Sequence, residues 1–502
     1  MRILYIISSI LLLSTSLFAQ NFPFPNHTQY HGSFIQPSQY TQTELDNHIT
    51  TFYDLWKSDY LVNGCDTDHY YIYFADGNTN TVSEAMGYGM LIIPLMAGYD
   101  SDAQLQFDGL YRYYRAHPSS IMPRLMAWKQ ITGCIDSDGP DSASDGDIDI
   151  AFGLLLAHAQ WGSLGAIDYL EEAKLIIDDI MGANRVKGDI NQDYYSVKLG
   201  DWVTSGSRMK STRTSDFIMD HFRVFARATN DTNWYHVVNE CYSLINDIQT
   251  NYSSQTGLLP DFIIDVHNNP KPANADFLEG DHDGHYSYNA CRDPWRMASD
   301  YLTSGDNRAK DATVKIAQWL KTSANGNINK VYAGYKLDGS KFVSWDDNSF
   351  TAPFTVGAML DTANQAWLNT LYGSIKTYNT NGGYYDNTLT LLSMITISGN
   401  YWVPDTNTVT SINNPSESKK QLMQINNINE DKQIKISIID NNSDYSIKVI
   451  DVLGHTLWSE NTKGQYAISI NTTNFNNGLY IVYAIDNKTG SMIESEKIII
   501  SK

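Results

Sequence analysis

The sequence predicts a large all-α domain of paired helices closed in a ring, followed by a small all-β sandwich. Along residues 43–401 amphipathic stretches recur in pairs, the first member apolar nearly all round and the second with one apolar face. Helices that are apolar on every side are buried, and one-sided helices lie outside them. Repeated pairs therefore favour helical hairpins arranged in a ring. Beyond Pro404 apolar and polar residues alternate, as they do in half-buried strands.

The first residues are typical of an exported chain. Met1-Arg2 is a short basic start, residues 3–13 are apolar, and Ala19 lies at a suitable cleavage position. The apolar run is too short for a membrane span. We therefore expect residues 1–19 to be a signal peptide and the mature chain to be secreted or displayed on the cell surface. No later segment of the sequence is long and apolar enough to cross a bilayer.

Five helix pairs can be placed on the sequence. Long polar loops at 136–145 and 260–288 join some of them, and long loops on a rigid scaffold commonly carry functional sites. The predicted pairs are 85–97 with 104–115, 148–161 with 170–181, 217–229 with 235–250, 292–302 with 309–322, and 354–359 with 365–376.

The C-terminal part differs from the helical part in composition and in the pattern of its apolar residues. Residues 405–425 are rich in Thr, Ser and Asn, which predicts a linker before an all-β unit at 426–502. Turn signals at Asn441-Asn442 and Asn476-Asn477-Gly478 separate alternating segments. The predicted strands are 435–440, 446–451, 466–470, 480–484 and 496–500.

Composition limits the classes of partner. With 35 Lys and Arg against 56 Asp and Glu, the net charge is -21, which disfavours nucleic acid and anionic membranes and favours neutral or cationic partners. The 33 Tyr and 11 Trp residues offer flat apolar faces with polar edges, suited either to sugar rings or to ordinary core packing. We expect a monomer.

The four cysteines are widely spaced, with no C-x-x-C pair, which disfavours zinc and thioredoxin-type chemistry. Cys65 and Cys134 both lie in loop-like segments and form one candidate disulfide. Separate buried thiols are the alternative.

Three acids at every second position, Asp145, Asp147 and Asp149, mark the start of one inner helix. An EF-hand-type calcium loop starting at Asp145 would need Gly at its sixth position and Glu at its twelfth, but Ile150 and Leu156 stand there. Stabilisation of the helix N-terminus explains one or two acids. It does not explain why three acids crowd one helix start, which indicates a functional site.

Glu84 is the second candidate. It opens the neutral, small-residue inner helix at 85–97. Partial burial and nearby acids raise the pKa of a carboxyl, as a general acid at neutral pH requires. The alternative is an ordinary first-turn Glu beside a Ser cap.

These segments resemble glycoside hydrolase family 8. The resemblance rests on Ala143-Ser144-Asp145-Gly146-Asp147 with Ile150-Ala151, Ala157 and Trp161, on Ser83-Glu84-Ala85-Met86-Gly87-Tyr88-Gly89-Met90, and on Tyr286-Ser287-Tyr288-Asn289-Ala290-Cys291-Arg292. It covers roughly residues 24–403 and implies a catalytic domain over 20–404.

The resemblance implies an (α/α)6 barrel of six inner and six outer helices. It also implies endo-acting hydrolysis of β-1,4-linked polysaccharide with inversion at the anomeric carbon. By motif, Glu84 is the general acid, and Asp145 is the acid beside the distorted sugar ring.

The third segment departs from the cellulase-like pattern. Those members have an Asp general base where this chain has Asn289. An amide cannot accept the proton of water. A second branch of the family, which includes chitosanases, resembles this chain in that Asn and uses a Glu of the preceding loop. By that resemblance the base is Glu279, with Asp281 and Asp283 as alternatives.

The remaining substrate-binding candidates come from the same segments and their neighbours. Tyr288 and Arg292 flank Asn289, and the resemblance implies that both lie beside the reacting sugar. Trp128 and Trp202 lie near loops and either stack on sugar rings or pack in the core. Arg213 and Asp216 are candidates to line the cleft. The simpler account of this segment is that Ser215 or Asp216 caps a helix.

The C-terminal unit resembles the sorting domain of the type IX secretion system of Bacteroidetes, in its layout and in residues 449–454 and 477–480. The expected partner is then that secretion machinery. A carbohydrate-binding module is the rival interpretation, but it would show more exposed aromatic residues.

The sequence thus predicts an inverting endo-glycanase. The branch with Asn289 points to chitosan, with cellulose or mixed-linkage β-glucan second, xylan third, and an inactive glycan-binding protein as a rival of another class. No metal, nucleotide or other cofactor is predicted, because H-E-x-x-H, P-loop and Rossmann glycine patterns are absent.

Overall fold

The computed structural model describes residues 20–182, 187–405, 423–428, 433–438, 445–451, 456–462, 467–487 and 492–500. The chain divides into two compact units, Met1–Asn407 and Thr408–Lys502. The predicted signal peptide, most of the predicted linker and the Asn441-Asn442 turn lie outside the described residues.

Twelve α-helices form the described part of the first unit. They alternate between a buried and a half-exposed type along the chain. Their bounds are α1 Gln42–Tyr60, α2 Ser83–Leu95, α3 Ala103–Ala116, α4 Ser144–Trp161, α5 Tyr169–Met181, α6 Met219–Thr229, α7 Asn233–Asn251, α8 Asp293–Ser304, α9 Asn307–Ala324, α10 Asn348–Ala358, α11 Gln365–Ile375 and α12 Tyr384–Ile397.

The even-numbered helices are the inner ring and the odd-numbered helices the outer ring. Helices α2, α4, α8, α10 and α12 bury nearly every residue, and α6 buries most of its own. Each odd-numbered helix buries one face. This arrangement confirms the predicted (α/α)6 barrel.

The first and last helices complete the ring. Helix α12 packs against α1. The Trp56 indole donates to the Thr388 hydroxyl at 2.9 Å, and the Asn387 amide donates to the Tyr60 hydroxyl at 3.0 Å. This sixth pair is not adjacent in sequence, which is why the pattern of neighbouring stretches showed only five.

Two inner helices begin four or more residues earlier than predicted. Helix α4 begins at Ser144 rather than at residue 148, so all three acids lie inside the helix. Asp145 and Asp147 lie in its first turn, where the helix dipole stabilises negative charge. Helix α10 begins at Asn348 rather than at 354 and contains Pro353. Proline argues against a helix interior, but the Asp347 side chain accepts from the Ser349 amide at 2.9 Å and fixes this start.

Glycines allow α2 and α4 to approach closely. A Cβ added to Gly146 would lie 2.4 Å from the Ser83 hydroxyl oxygen, and one added to Gly87 would lie 2.7 Å from the Asp149 Cβ. No larger side chain fits between these backbones. The first turns of the two helices, which carry Glu84 and Asp145, are therefore held side by side.

Short strands organise the loops of the barrel. All their pairings are antiparallel. Their bounds are β1 Leu61–Asn63, β2 Tyr70–Ile72, β3 Thr79–Val82, β4 Lys129–Ile131, β5 Ile135–Asp136, β6 Ile190–Asn191, β7 Ser196–Val197, β8 Ser211–Arg213, β9 Phe262–Ile264 and β10 Lys271–Pro272. Strands β1–β2, β3–β4–β5, β6–β7 and β8–β9–β10 each form a small sheet.

A disulfide joins Cys65 to Cys134, which was one of the two predicted alternatives for this pair. Cys241 and Cys291 are buried free thiols.

Within the part of the chain that the structure describes, no helix is long and apolar enough to cross a membrane.

The second unit is an all-β sandwich, as predicted. One antiparallel sheet has the order β11–β12–β15 and the other β14–β13–β16–β17. Alternate residues of both sheets, such as Ile434, Ile436, Val449 and Val482, share one core. The strands are β11 Met423–Ile428, β12 Gln433–Ile438, β13 Tyr445–Asp451, β14 Thr456–Asn461, β15 Ala467–Asn471, β16 Gly478–Asp486 and β17 Met492–Ile500. Neither β11 nor β14 was predicted, and β11 begins inside the segment predicted as a linker.

Candidate active site

The candidate residues gather where the inner helices begin. Inner and outer helices alternate along the chain and each runs back along its predecessor, so all inner N-termini lie at one end of the barrel. Glu84 and Asp145 occupy the first turns of α2 and α4. Short 3-10 helices at Thr214–Asp216 and Ala290–Arg292 lead into α6 and α8 at the same end.

Arg292 connects the acids. Its Nη1 donates to Glu84 Oε2 and to Asp145 Oδ2, each at 2.8 Å, and its Nη2 donates to Asn289 Oδ1 at 2.9 Å. The guanidinium is almost completely buried. A buried cation shared by two carboxylates fixes both in position, because the planar fork of Arg binds oxygens in defined directions.

Glu84 has the electrostatic character of a general acid. Burial raises its pKa strongly; the charge of Arg292 opposes this, Asp145 adds to it, and the result is a pKa of about 7. The Glu84 carboxyl therefore holds its proton at a pH where an exposed carboxyl is ionised.

Asp145 is held in the opposite state. Burial alone would raise its pKa, but Arg213 and Arg292 outweigh burial and lower the pKa below the ordinary value. Arg213 Nη1 lies 3.4 Å from Asp145 Oδ2. Two neighbouring carboxyls with pKa values pushed apart, one protonated and one ionised, are a common feature of catalytic centres.

Glu279 faces the same network from the long loop after β10. Its Oε1 accepts from Arg213 Nη2 at 3.2 Å and its Oε2 from the Asn289 amide at 2.7 Å. The Glu279 side chain is 47% exposed, whereas those of Arg213 and Asp145 are 12% and 3% exposed. Water can therefore reach this carboxylate although both its oxygens are held.

Asp283 holds the loop that carries Glu279. Its carboxylate accepts from the backbone amides of Leu278, Glu279 and Gly280 at 2.6–3.3 Å. This buried role as a backbone acceptor removes Asp283 from the candidates for the base. Asp281, the other alternative, is exposed.

The aromatic candidates are placed differently from one another. The Trp128 carbonyl accepts from the Ser83 amide at 2.8 Å, which puts this half-buried Trp beside the start of α2. Trp202 packs in a small cluster with Phe277 and Leu278, beneath the Glu279 loop. Tyr288 is 41% exposed, and its hydroxyl donates to Asp347 Oδ2 at 3.3 Å, so its ring lies at the rim.

The simpler account of Asp216 and Ser215 is wrong. Helix α6 begins at Met219 after Ile218, with no side-chain cap. Asp216 is buried instead; burial and Asp145 raise its pKa, Arg213 opposes them, and the value is about 7. The Ser215 hydroxyl accepts from Arg292 Nη2 at 2.8 Å.

Several residues of the network were not found from the sequence. The Tyr88 hydroxyl accepts from Arg292 Nη1 at 3.1 Å, and the Tyr384 hydroxyl lies 3.5 Å from Glu84 Oε1. Tyr88 lies one turn after Glu84 on the same face of α2, a spacing that was available as a signal. Tyr384 lies 300 residues away in sequence, where no local pattern could identify it.

The three acids of α4 serve three purposes. Asp145 joins the network just described. Asp147 accepts from the Met126 amide at 2.9 Å and so holds a loop. Asp149 forms a buried pair with Arg296, with N–O distances of 3.0 Å and 2.6 Å. Among the described residues, no group of three or more His, Cys, Asp or Glu side chains is arranged to hold a metal ion.

The helical unit matches the family described as glycosyl hydrolases family 8 over residues 41–399. The chain belongs to glycosyl hydrolase family 8. It is therefore a glycoside hydrolase. The second unit matches the family described as a secretion system C-terminal sorting domain over residues 414–501, which confirms the resemblance found in the sequence.

Relatives of this family 8 enzyme include a beta-glucanase of Niallia circulans, 46% identical over 76% of this chain and 92% of the relative. An endoglucanase of a Bacillus species is 37% identical over 80% of this chain and 87% of the relative. Among solved structures, the apo beta-1,3-1,4-glucanase of Paenibacillus sp. X4 is 47% identical, with a TM-score of 0.74 over 77% of this chain and 100% of that one. A reducing-end-xylose-releasing exo-oligoxylanase, 17% identical with a TM-score of 0.63, shares the fold.

Proposed function

We propose that this family 8 enzyme cleaves β-glucan internally with inversion at the anomeric carbon. The observation that carries the proposal is the arrangement of Glu84, whose pKa is raised to about 7, and the accessible Glu279 carboxylate, which are linked through Arg292 and Asn289. Inverting glycosidases need one carboxylic acid and one carboxylate on opposite faces of the sugar, roughly 6.5–9.5 Å apart, with room for a water between them.

Glu84 acts as the general acid in this proposal. It donates its proton to the glycosidic oxygen as the bond to the anomeric carbon breaks. Positive charge then develops on the sugar ring, and the ionised Asp145 beside Glu84 stabilises it in a site of low dielectric. Arg292 fixes both groups, so little reorganisation accompanies the transfer.

Glu279 acts as the general base. It accepts a proton from the water that attacks the anomeric carbon from the opposite face. Asn289 and Arg213 hold its two oxygens and aim the carboxylate, and Asn289 itself does not titrate. The loop that Asp283 holds in place thus supplies Glu279 as the base, because the Asn289 amide cannot accept a proton from water.

Mixed-linkage β-glucan is the substrate we propose first. The relatives with 46% and 47% identity carry the names beta-glucanase and beta-1,3-1,4-glucanase. Chitosan, the first expectation from the sequence, is the second candidate: the net charge of -21 favours a polyamine, and the Asn289–Glu279 arrangement resembles the branch that contains chitosanases.

Reducing-sugar release from mixed-linkage β-glucan, carboxymethyl cellulose, chitosan and xylan, measured side by side, tests this proposal. We expect the fastest release from mixed-linkage β-glucan. If release from chitosan is fastest, chitosan is the substrate in place of β-glucan, and the proposed mechanism is unchanged. No release from any of the four contradicts the proposed function and favours a glycan-binding protein.

We further propose that the enzyme leaves the cell. Residues 1–19 direct export across the inner membrane, and the C-terminal sorting domain engages the type IX machinery. The support is the sorting-domain match together with the basic and apolar N-terminal segment. Replacing residues 414–501 with a stop should retain the enzyme in the cell.

A further inference from the structure

A cavity of about 300 Å³ lies at the same end of the barrel as the catalytic carboxyls. The N-termini of α10 and α12 form it, and its lining is polar throughout: Asp346, Asp347, Asn379, Asn381 and Asp386 are among its residues. None of these residues belongs to the network around Arg292. The cavity, here called the rim pocket, therefore lies outside the network around Arg292.

One carboxyl of the rim pocket is buried and incompletely satisfied. Asp386 is 8% exposed, and its Oδ1 has no hydrogen-bond partner among the described residues. Its Oδ2 accepts from the Asn379 amide at 3.4 Å, and the Asn348 backbone amide and the Asp347 carboxyl also interact with the Asp386 carboxyl. Burial and the neighbouring Asp347 carboxylate raise the pKa of Asp386 to about 7. A buried polar atom without a partner is costly, and a ligand that supplies a donor would remove the cost.

An exposed aromatic residue flanks the rim pocket. Trp345, the residue before Asp346, is 54% exposed. Burial raises the pKa of Tyr288, and a hydrogen bond from the Trp345 side chain partly offsets this shift. An exposed indole beside carboxyl and amide groups offers what a pyranose ring needs: a flat apolar face and acceptors for its hydroxyls.

The rim pocket is continuous with the catalytic centre through Tyr288. The Tyr288 hydroxyl contacts Asp347 at 3.3 Å, and its carbonyl accepts from the Tyr385 hydroxyl at 2.5 Å. Asn289, which holds the proposed base, is the next residue in the chain. A polysaccharide that leaves the catalytic centre along Tyr288 therefore meets Trp345 and the pocket.

We propose that Trp345 and the rim pocket form a distal subsite for a further pyranose unit of the polysaccharide. The ring stacks on the indole, and its hydroxyl or ammonium hydrogens bind the carboxyls of Asp346 and Asp386. The inference rests on the proposed function in taking this ligand to be the β-linked substrate. It adds a site that binds the chain and performs no chemistry.

Affinity electrophoresis in gels that contain mixed-linkage β-glucan or chitosan tests the subsite. The full mature chain carries Glu84→Gln, so retardation reports binding and not cleavage. Adding Trp345→Ala should weaken binding about threefold or more, the effect of losing one ring contact. Adding Asp386→Asn should weaken it less. Tyr235→Ala, an aromatic residue of 40% exposure at the start of α7 and the opposite end of the barrel, is the matched control and should change nothing.

The two gels show whether the subsite binds ammonium groups or hydroxyl groups of the sugar. Asp346→Asn and Asp386→Asn should weaken retention mainly in chitosan if an ammonium group is bound, and in both gels if hydroxyls are bound. Unchanged retention in both gels for Trp345→Ala and Asp386→Asn overturns the subsite, as does an equal loss for Tyr235→Ala. Hydrolysis by the unsubstituted enzyme is measured separately. If that enzyme hydrolyses the polysaccharide but Trp345→Ala does not change retention, the subsite alone is overturned. If Trp345→Ala weakens retention but the unsubstituted enzyme hydrolyses nothing, the proposed function alone is overturned.

Discussion

Glu84 experiences opposing influences whose balance sets its chemistry. Burial and the Asp145 carboxylate favour its protonated form, and the Arg292 guanidinium favours its ionised form. The balance leaves the proton in place up to a pH of about 7. The same Arg292 helps to hold Asp145 ionised. One cation thus serves two carboxyls with opposite protonation states.

The rate of hydrolysis should therefore fall on the alkaline side. The active form carries the Glu84 proton, and the pKa of Glu84 is raised to about 7, so activity is retained below that pH and declines as the pH rises through it. The measurement is kcat between pH 5 and 9 on mixed-linkage β-glucan. Glu84→Gln should lower kcat by about 10²–10⁴-fold, the usual contribution of a general acid. A rate that rises up to pH 9 would contradict this assignment.

Glu279 and Asp281 provide a matched test of the base. Both are exposed acids of one loop, but only Glu279 contacts Arg213 and Asn289. Glu279→Gln should lower kcat by about 10²–10⁴-fold, since the attacking water loses its proton acceptor. Asp281→Asn should leave kcat within about twofold, as surface substitutions away from a site usually do. A Glu279→Gln enzyme as active as the parent would show that another group is the base.

At the level of helices, the site depends on how closely α2 and α4 pack. Their separation is set by small residues, and a Cβ at Gly146 would meet the backbone carbon of Ser83 at 2.5 Å. Ser83 directly precedes Glu84. Any widening of this contact therefore changes the position of Glu84, the proposed general acid, relative to Asp145.

Gly146→Ala should destabilise the barrel by about 1–3 kcal/mol, the usual cost of overpacking a close contact, and should lower kcat. Gly373→Ala is the control, because Gly373 lies in the outer helix α11 with open space around it. That change should stabilise the protein by about 0.5–1 kcal/mol through helix propensity. Differential scanning calorimetry measures both effects, and a stabilised Gly146→Ala variant would show that the two helices do not pack as described.

The helices were the part of the fold most accessible to sequence analysis. Five of six pairs follow from apolar periodicity, because each is a local hairpin. The pairing of α12 with α1 was missed because it joins the two ends of the helical unit. The start of α10 was predicted too late because Pro353 argued against a helix there. In the site, Glu84, Asp145, Arg292 and Glu279 followed from motifs and the resemblance. The Arg292 contacts to Ser215 and Tyr384's position beside Glu84 depend on long-range packing, which no local spacing encodes.

Over the whole molecule, several buried carboxyls share one property. Burial is the main cause that raises the pKa of Glu84, Asp216 and Asp261 to about 7 and that of Asp189 to about 8. In the unfolded chain such groups titrate near 4. Between those values the folded state binds more protons than the unfolded state, so stability falls as the pH rises through the window.

The melting temperature should accordingly be lower at pH 9 than at pH 6. Asp261→Asn should reduce this difference, since an amide cannot ionise and its Oδ1 can still accept from the backbone amides of Ser287 and Ala290. Asp311→Asn, an exposed acid on α9, is the control and should leave the difference unchanged. A melting temperature that is higher at pH 9 would contradict the protonated state of the buried carboxyls.

The proposed mechanism is hydrolysis of a β-glucan by Glu84 and Glu279 with inversion at the anomeric carbon. Proton NMR of the first reducing ends released from mixed-linkage β-glucan tests it most directly, before mutarotation mixes the two anomers. We expect the α-anomer to appear first, because water attacks opposite the departing β-linked oxygen. Initial release of the β-anomer would contradict it, since retention requires a nucleophilic carboxylate in place of a base that activates water.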